Sequence, residues 1–201
     1  MQRRLFLGTL LLAAFIGATT HGADEVAKTG DYYPLKLGTK WNYELKVGDR
    51  KVLITNQVAK IETIDEQKMA RVETVMNNNI AATEHLTSTT TGVFRTKFNG
   101  SDVNPPICLL KLPVKVGDEW KDTNKIGNDE LKTTCKVEAA ETIEVPAGKF
   151  DTLRVNVSAQ VGDQSVETIY WFAEGTGVVK QSFNAGDMKL YIELESIKKG
   201  E

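Results

Sequence analysis

The chain has 201 residues, 41% of them hydrophobic and 26% charged, with 25 Lys and Arg against 27 Asp and Glu and a formal net charge of −2 at pH 7. That balance supplies neither the basic face that nucleic-acid binding uses nor a polybasic stretch for an anionic membrane surface. The length is enough for one substantial domain with its own core.

The N-terminus carries export features. Arg3 and Arg4 precede an apolar run from Leu5 to Ile16, and Gly17 to Ala23 are small or polar. This order predicts a signal peptide over residues 1–23, too short to span a bilayer as a stable helix. Cleavage after Ala23 leaves His21 at −3, and cleavage after Gly22 leaves Thr20 there. Arg3-Arg4-Leu5-Phe6-Leu7 also has the spacing of a twin-arginine signal, so both that route and the general secretory route stay open. No cysteine stands near either cleavage position, and no second apolar segment approaches membrane length. The expected location is periplasmic or secreted.

Residues 24–201 are expected to form a single all-β domain. Trp41, Tyr43, Leu45 and Val47 alternate with Asn42, Glu44 and Lys46, a half-buried strand. Glu66 to Met76 taken alone could pass for a short helix. Gly48-Asp49, Asn77-Asn78-Asn79, Asn99-Gly100 and Gly127-Asn128-Asp129 are turn signals, because Gly and Asn tolerate the positive φ of tight hairpins. Asn104-Pro105-Pro106 marks a joint, since two prolines cannot continue a ladder. Phe150 to Val157 is plainly strand. Tyr170-Trp171-Phe172 puts Trp171 on the face opposite its two neighbours. It fits a strand covered on both sides, or an aromatic patch left open to a ligand. Met188, Leu190, Ile192 and Leu194 alternate with charged residues and Tyr191 in a last strand.

The chain also repeats itself. Pro34-Leu35-Lys36-Leu37-Gly38-Thr39-Lys40-Trp41 returns 79 positions later as Pro113-Val114-Lys115-Val116-Gly117-Asp118-Glu119-Trp120. Glu62-Thr63-Ile64 returns at the same offset as Glu141-Thr142-Ile143. Thr91-Gly92-Val93 returns 85 positions later as Thr176-Gly177-Val178. A tandem duplication predicts two repeats, at about 32–103 and 107–186, each of five strands, plus an unmatched C-terminal strand at 187–197. Glu66 to Met76 then takes the strand conformation of its counterpart. One such sheet would leave an apolar face uncovered, so the repeats are expected to share one core. The expected fold is a set of antiparallel meanders, about eleven strands in all, forming one curved open barrel or a sandwich.

Cys108 and Cys135 are the only cysteines and both lie in the exported part, which predicts a disulfide between them.

The stretch Val145-Pro146-Ala147-Gly148-Lys149-Phe150-Asp151-Thr152-Leu153-Arg154-Val155, followed by Tyr170-Trp171-Phe172-Ala173-Glu174-Gly175-Thr176-Gly177-Val178-Val179-Lys180, resembles a group of exported bacterial all-β proteins of unknown function. They carry Pro-Ala-Gly-x-Phe-x-Thr-Leu-Arg-Val and then Tyr-Trp-Phe-Ala-x-Gly-x-Gly-x-Val-Lys. Tyr32-Tyr33-Pro34-Leu35-Lys36 to Trp41 matches an early motif of many of them. Some look like the open half-barrel of the periplasmic lipoprotein carriers, whose concave face holds acyl chains. The resemblance brings no catalytic residue and implies no cofactor.

Chemistry finds little purchase in the sequence. His21 belongs to the signal peptide, so His85 is the one histidine left, too few for a metal cluster. No Gly-x-Ser-x-Gly elbow, Walker-type Gly-Lys-Ser or Gly-x-Gly-x-x-Gly is present. Glu193 and Glu195 share a strand face, an arrangement a glycosidase could use and a solvated strand commonly shows. The reading is therefore not an enzyme, with an acid-dependent hydrolase as the outlier. It is a binding protein for an apolar or lipid-like ligand on a concave β surface, or else a structural or interaction module of the cell envelope.

Overall fold

Period-two alternation runs through nearly every segment between turn signals, and in the computed structural model each such segment is a strand. Residues 30–47, 50–162, 164–185 and 188–201 are described; the expected signal peptide at 1–23 lies outside them. In chain order the strands are β1 Lys40–Val47, β2 Arg50–Ile64, β3 Gln67–Met76, β4 Asn79–Thr89, β5 Gly92–Phe98, β6 Ser101–Lys111, β7 Glu119–Ile126, β8 Asp129–Val145, β9 Gly148–Val161, β10 Gln164–Ala173, β11 Gly177–Ala185 and β12 Met188–Lys198. Each pairs antiparallel with the next, and β1 pairs with β12, so the meander closes into a barrel. Of the two expected shapes it is the barrel, and it is closed where an open one was anticipated.

The strands number twelve rather than about eleven because Ser101–Lys111 is itself a strand. Pro105 and Pro106 were expected to break the ladder, and they do so locally: neither has a register partner on β5 or β7. A proline there forfeits no ladder bond. In the element order β12 follows β7–β11 as β6 follows β1–β5.

The two halves share local detail. Gly38 N donates to Val58 O and Gly117 N to Val137 O; Val58 N donates to Thr39 O and Val137 N to Asp118 O. A bulge falls between Val58 and Lys60 in β2 and between Val137 and Ala139 in β8. One pairing is unlike the rest. β6 and β7 share only two register pairs, Val103 with Ile126 and Asn104 with Lys125, where β1 and β12 share seven. Side chains bridge this gap: Asn124 Nδ2 donates to Pro105 O at 2.8 Å and Trp120 Nε1 to Cys108 O at 2.9 Å.

The barrel has two unlike ends. At the end where β1 begins, Tyr32 and Tyr33 are buried over the strands, and Trp41, Tyr43, Leu110, Phe172 and Leu194 fill the interior. Burying each of these large side chains stabilises by roughly 1.5–3 kcal/mol. Tyr33 lies 5.3 Å from the Trp41 ring and presses on Gly177, where an added Cβ would meet the Tyr33 ring at 2.8 Å. Gly177 also has φ +101, so glycine is required there on two counts. The opposite end carries the β3–β4, β5–β6 and β7–β8 turns.

Candidate ligand-binding cup

In the half of the barrel away from the tyrosine plug, inward-facing side chains enclose a cavity of about 380 Å³. Ile54 of β2, Phe98 of β5, Phe183 of β11 and Ile192 of β12 point inward yet are only half-buried, because they face this space. Leu131 and Val157 continue the apolar wall. The volume lies in the range of small-molecule sites, which are mostly apolar with a few placed polar groups.

Those polar groups lie at the floor, above the packed half. Arg95 Nε donates to Glu84 Oε2, and the Arg95 guanidinium also hydrogen-bonds the Tyr170 hydroxyl. The Arg95 and Glu84 side chains retain only 19% and 16% of their exposure. Burial works against the Arg95 charge, but Glu84 and Tyr170 outweigh it and hold the guanidinium above its ordinary value. Burial raises the Tyr170 hydroxyl, while Arg95 pulls it the other way. Asn56 and Gln181 complete the floor. The alternating apolar positions of Trp41–Val47 and Met188–Leu194 divide between the two halves of the barrel. Ile192 does line the cavity, whereas Trp41, Tyr43 and Leu194 belong to the packed half. The sequence reading did not single out Glu84 or Arg95. A usable signal was parity: Glu84 stands between Ala82 and Leu86 on the inward side of β4.

The other sequence candidates lie elsewhere. His85 is on the outer face, its Nε2 2.6 Å from Glu62 Oε2, and Lys60 binds the same carboxylate at 3.1 Å. Those two contacts, His85 first, hold the Glu62 carboxyl below its ordinary value. Glu193 receives Lys180 at 2.7 Å and Lys46 at 2.8 Å, and Glu195 is exposed beside a bulge, so the two do not face one another as an acid pair. Trp171 is half-buried on the outer face, with its Nε1 donating to Glu141 Oε1 at 2.9 Å and Lys180 5.6 Å from its ring centre. Neither covering strands nor an open ligand patch describes it. Arg154 adds ion pairs to Glu138 and Glu141 on the same face. This charged exterior differs from the apolar outer band of a membrane-spanning barrel. Among the described residues, no three His, Cys, Asp or Glu are grouped to hold a metal, and no helix is long and apolar enough to cross a membrane.

The expected Cys108–Cys135 disulfide is not formed; both are buried free thiols. Cys135 shares the inner face of β8 with Leu131 and Thr133, whereas Cys108 alternates with the cavity-lining Ile107 and Leu109 of β6. The two side chains therefore leave their strands toward opposite faces. The Cys135 sulfur meets the Cys108 carbonyl oxygen, at 3.6 Å, instead of its sulfur. Burial is the main cause that pushes both thiols up to about 12.

A family model described as DUF3108-like matches residues 113–191, chiefly the second half of the barrel. No curated protein matches the chain. Among solved structures, a candidate lipoprotein from Parabacteroides distasonis is similar over 85% of this chain and 100% of its own, with 15% identity and a TM-score of 0.54. A candidate exported protein with a YmcC-like fold from Bacteroides fragilis is similar over the same shares, 85% and 100%, with 14% identity and a TM-score of 0.51. At these identities the likeness is one of fold: the chain shares the all-β architecture of both.

Proposed function

We propose that this protein is exported and works by binding an apolar or lipid-like ligand in the cup, without catalysing a reaction on it. The observation that carries the reading is the 380 Å³ cavity with apolar walls and a polar floor at one end of an otherwise packed barrel. In a fully packed interior the inward-facing Phe98 and Phe183 would be fully buried, whereas both are only half-buried here. The charge and apolar order of residues 1–23 supports export, as do the descriptions of the two similar structures. The groups at the floor and in the recess beneath it are an ion pair, three phenols and two amides, with no nucleophile beside a base among the described residues.

The deciding experiment purifies the protein from its native compartment and measures its mass under native and denaturing conditions. Recovery of a chain shortened by about 23 residues, carrying an apolar small molecule that organic solvent extracts, is the expected result. A chain beginning at Met1 contradicts export, and an empty cup that no fatty acid or phospholipid stabilises contradicts ligand binding.

A second reading, an envelope interaction module, draws on a different surface. Leu53 and Ile80 are 62% and 54% exposed on the outer face of β2 and β4; Ile80 pairs with Val75 of β3, whose partner on β2 is Thr55, two residues from Leu53. Exposed apolar groups clustered in this way mark contact surfaces. Loss of a pulled-down envelope partner on Leu53→Ser and Ile80→Ser, with ligand content unchanged, would favour it.

A further inference from the structure

The cup's floor holds one buried polar atom that finds no partner. Asn56 Oδ1 is shut off from solvent and accepts no hydrogen bond. Asn56 lies on the inward face of β2, between Ile54 and Val58, and lines both the main cavity and the recess of about 50 Å³ beneath it. A buried amide atom left unpaired is costly, and such atoms in native structures have a reason. Here the atom borders the space a ligand would fill.

Charge narrows what can satisfy it. Among the described residues lining the cavity, Arg95 is the one cation and Glu84 the one anion, and they are bonded to each other. The floor is therefore electrically balanced before any ligand arrives. A carboxylate or phosphate head would add a second negative charge beside Glu84 in a poorly solvated space, with Arg95 already engaged by Glu84 and Tyr170. An ammonium head would meet the mirror-image difficulty at Arg95. A head with no hydrogen-bonding group would leave Asn56 Oδ1 as unpaired as it is now.

A hydroxyl meets every condition. It is neutral, and it both donates and accepts, so it satisfies the Asn56 amide whichever way that amide is turned. Its second bonding site can be used by the Gln181 amide across the floor. Resting on the binding function proposed above, we infer that the ligand is a neutral amphiphile with a hydroxyl head, such as a long-chain alcohol or an acylglycerol. It enters head first to Asn56, and its chain runs along Ile54, Phe98 and Phe183 toward the open end.

The test is titration calorimetry on delipidated protein with dodecanol, dodecyl methyl ether and dodecanoate at a pH where the acid is ionised. Dodecanol is expected to bind about tenfold more tightly than the ether, which cannot donate, and than the charged dodecanoate. Asn56→Leu is expected to bring alcohol and ether to about equal affinity while both still bind. Should that variant misfold, Asn56→Ala removes the same amide without adding bulk. Dodecanoate binding tightest, or alcohol and ether binding equally to the unmodified protein, overturns the hydroxyl head and leaves the binding function standing. Failure of all three to bind overturns both.

Discussion

Replacing Arg95 by Leu separates the worth of the floor ion pair from the worth of either charge. In this variant Glu84, whose side chain keeps 16% exposure, loses its ion-pair partner inside the barrel. Removing one member of a fully buried pair costs about 3–5 kcal/mol, because the survivor is an uncompensated charge. The residual exposure of both groups lets some water reach Glu84, so about 2–4 kcal/mol is the expected loss at neutral pH. For a chain of this size that corresponds to a drop in melting temperature of roughly 4–16 °C. Removing Glu84 as well, as R95L/E84L, takes the orphaned charge away. Replacing a whole buried pair with apolar side chains is often neutral or stabilising. The double variant should therefore regain most of the loss and melt within a few degrees of the original. Urea midpoints and thermal melts followed by far-ultraviolet circular dichroism measure both. A double variant as unstable as R95L alone would refute the reasoning, since the stability would then reside in packing of the arginine stem and not in charge compensation.

Other expected outcomes follow from the packed end and the thiols. Gly177→Ala should destabilise by about 1–3 kcal/mol in urea titrations, from positive φ together with the Tyr33 contact, and more than Gly38→Ala, where φ is +80 but the space is open. Trp41→Phe strips the 2.6 Å bond from its Nε1 to Thr176 O inside the core and should cost about 1–3 kcal/mol. Trp171→Phe, at a half-exposed position, should cost less than about 1 kcal/mol. Neither thiol should react with a disulfide reagent in the native protein near pH 8, and both should react after unfolding, because burial first of all pushes each up to about 12. A thiol raised in the folded state from 9.0 to about 12 favours folding below about pH 9 and loses that contribution as pH climbs toward 12. The urea midpoint should accordingly fall above pH 9, and later in a Cys108→Ala/Cys135→Ala variant.

Much of the wall was legible and most of the floor was not. Strict alternation at Trp41–Val47 and at Met188–Leu194 reads directly as strand, and Gly and Asn at the turns mark where strands end. Glu66–Met76 needed its counterpart at Phe150–Val157 to be read as strand, since its own composition suits either conformation. The Asn104-Pro105-Pro106 run misled because proline reports only a missing donor, not whether a neighbouring strand wanted one. Glu84, Arg95 and Asn56 escaped for a related reason: a charged or amide side chain on a strand is ordinarily solvated. The cysteines show the limit of counting: an even number after export says nothing about the faces on which two side chains leave their strands.

The uneven seams of the barrel have a consequence for how it stays shut. β6 and β7 are joined by a short stretch of chain, residues 112–118, so each is held beside the other at high local concentration whether or not ladder bonds form. Two register pairs and a few side-chain bridges are then sufficient. β1 and β12 lie at opposite ends of the sequence and have no such tether, and there the wall carries seven pairs. Moving the chain ends by circular permutation to the 112–118 link would exchange these roles. The sparse seam would have to hold without a tether, and the ring would open there first.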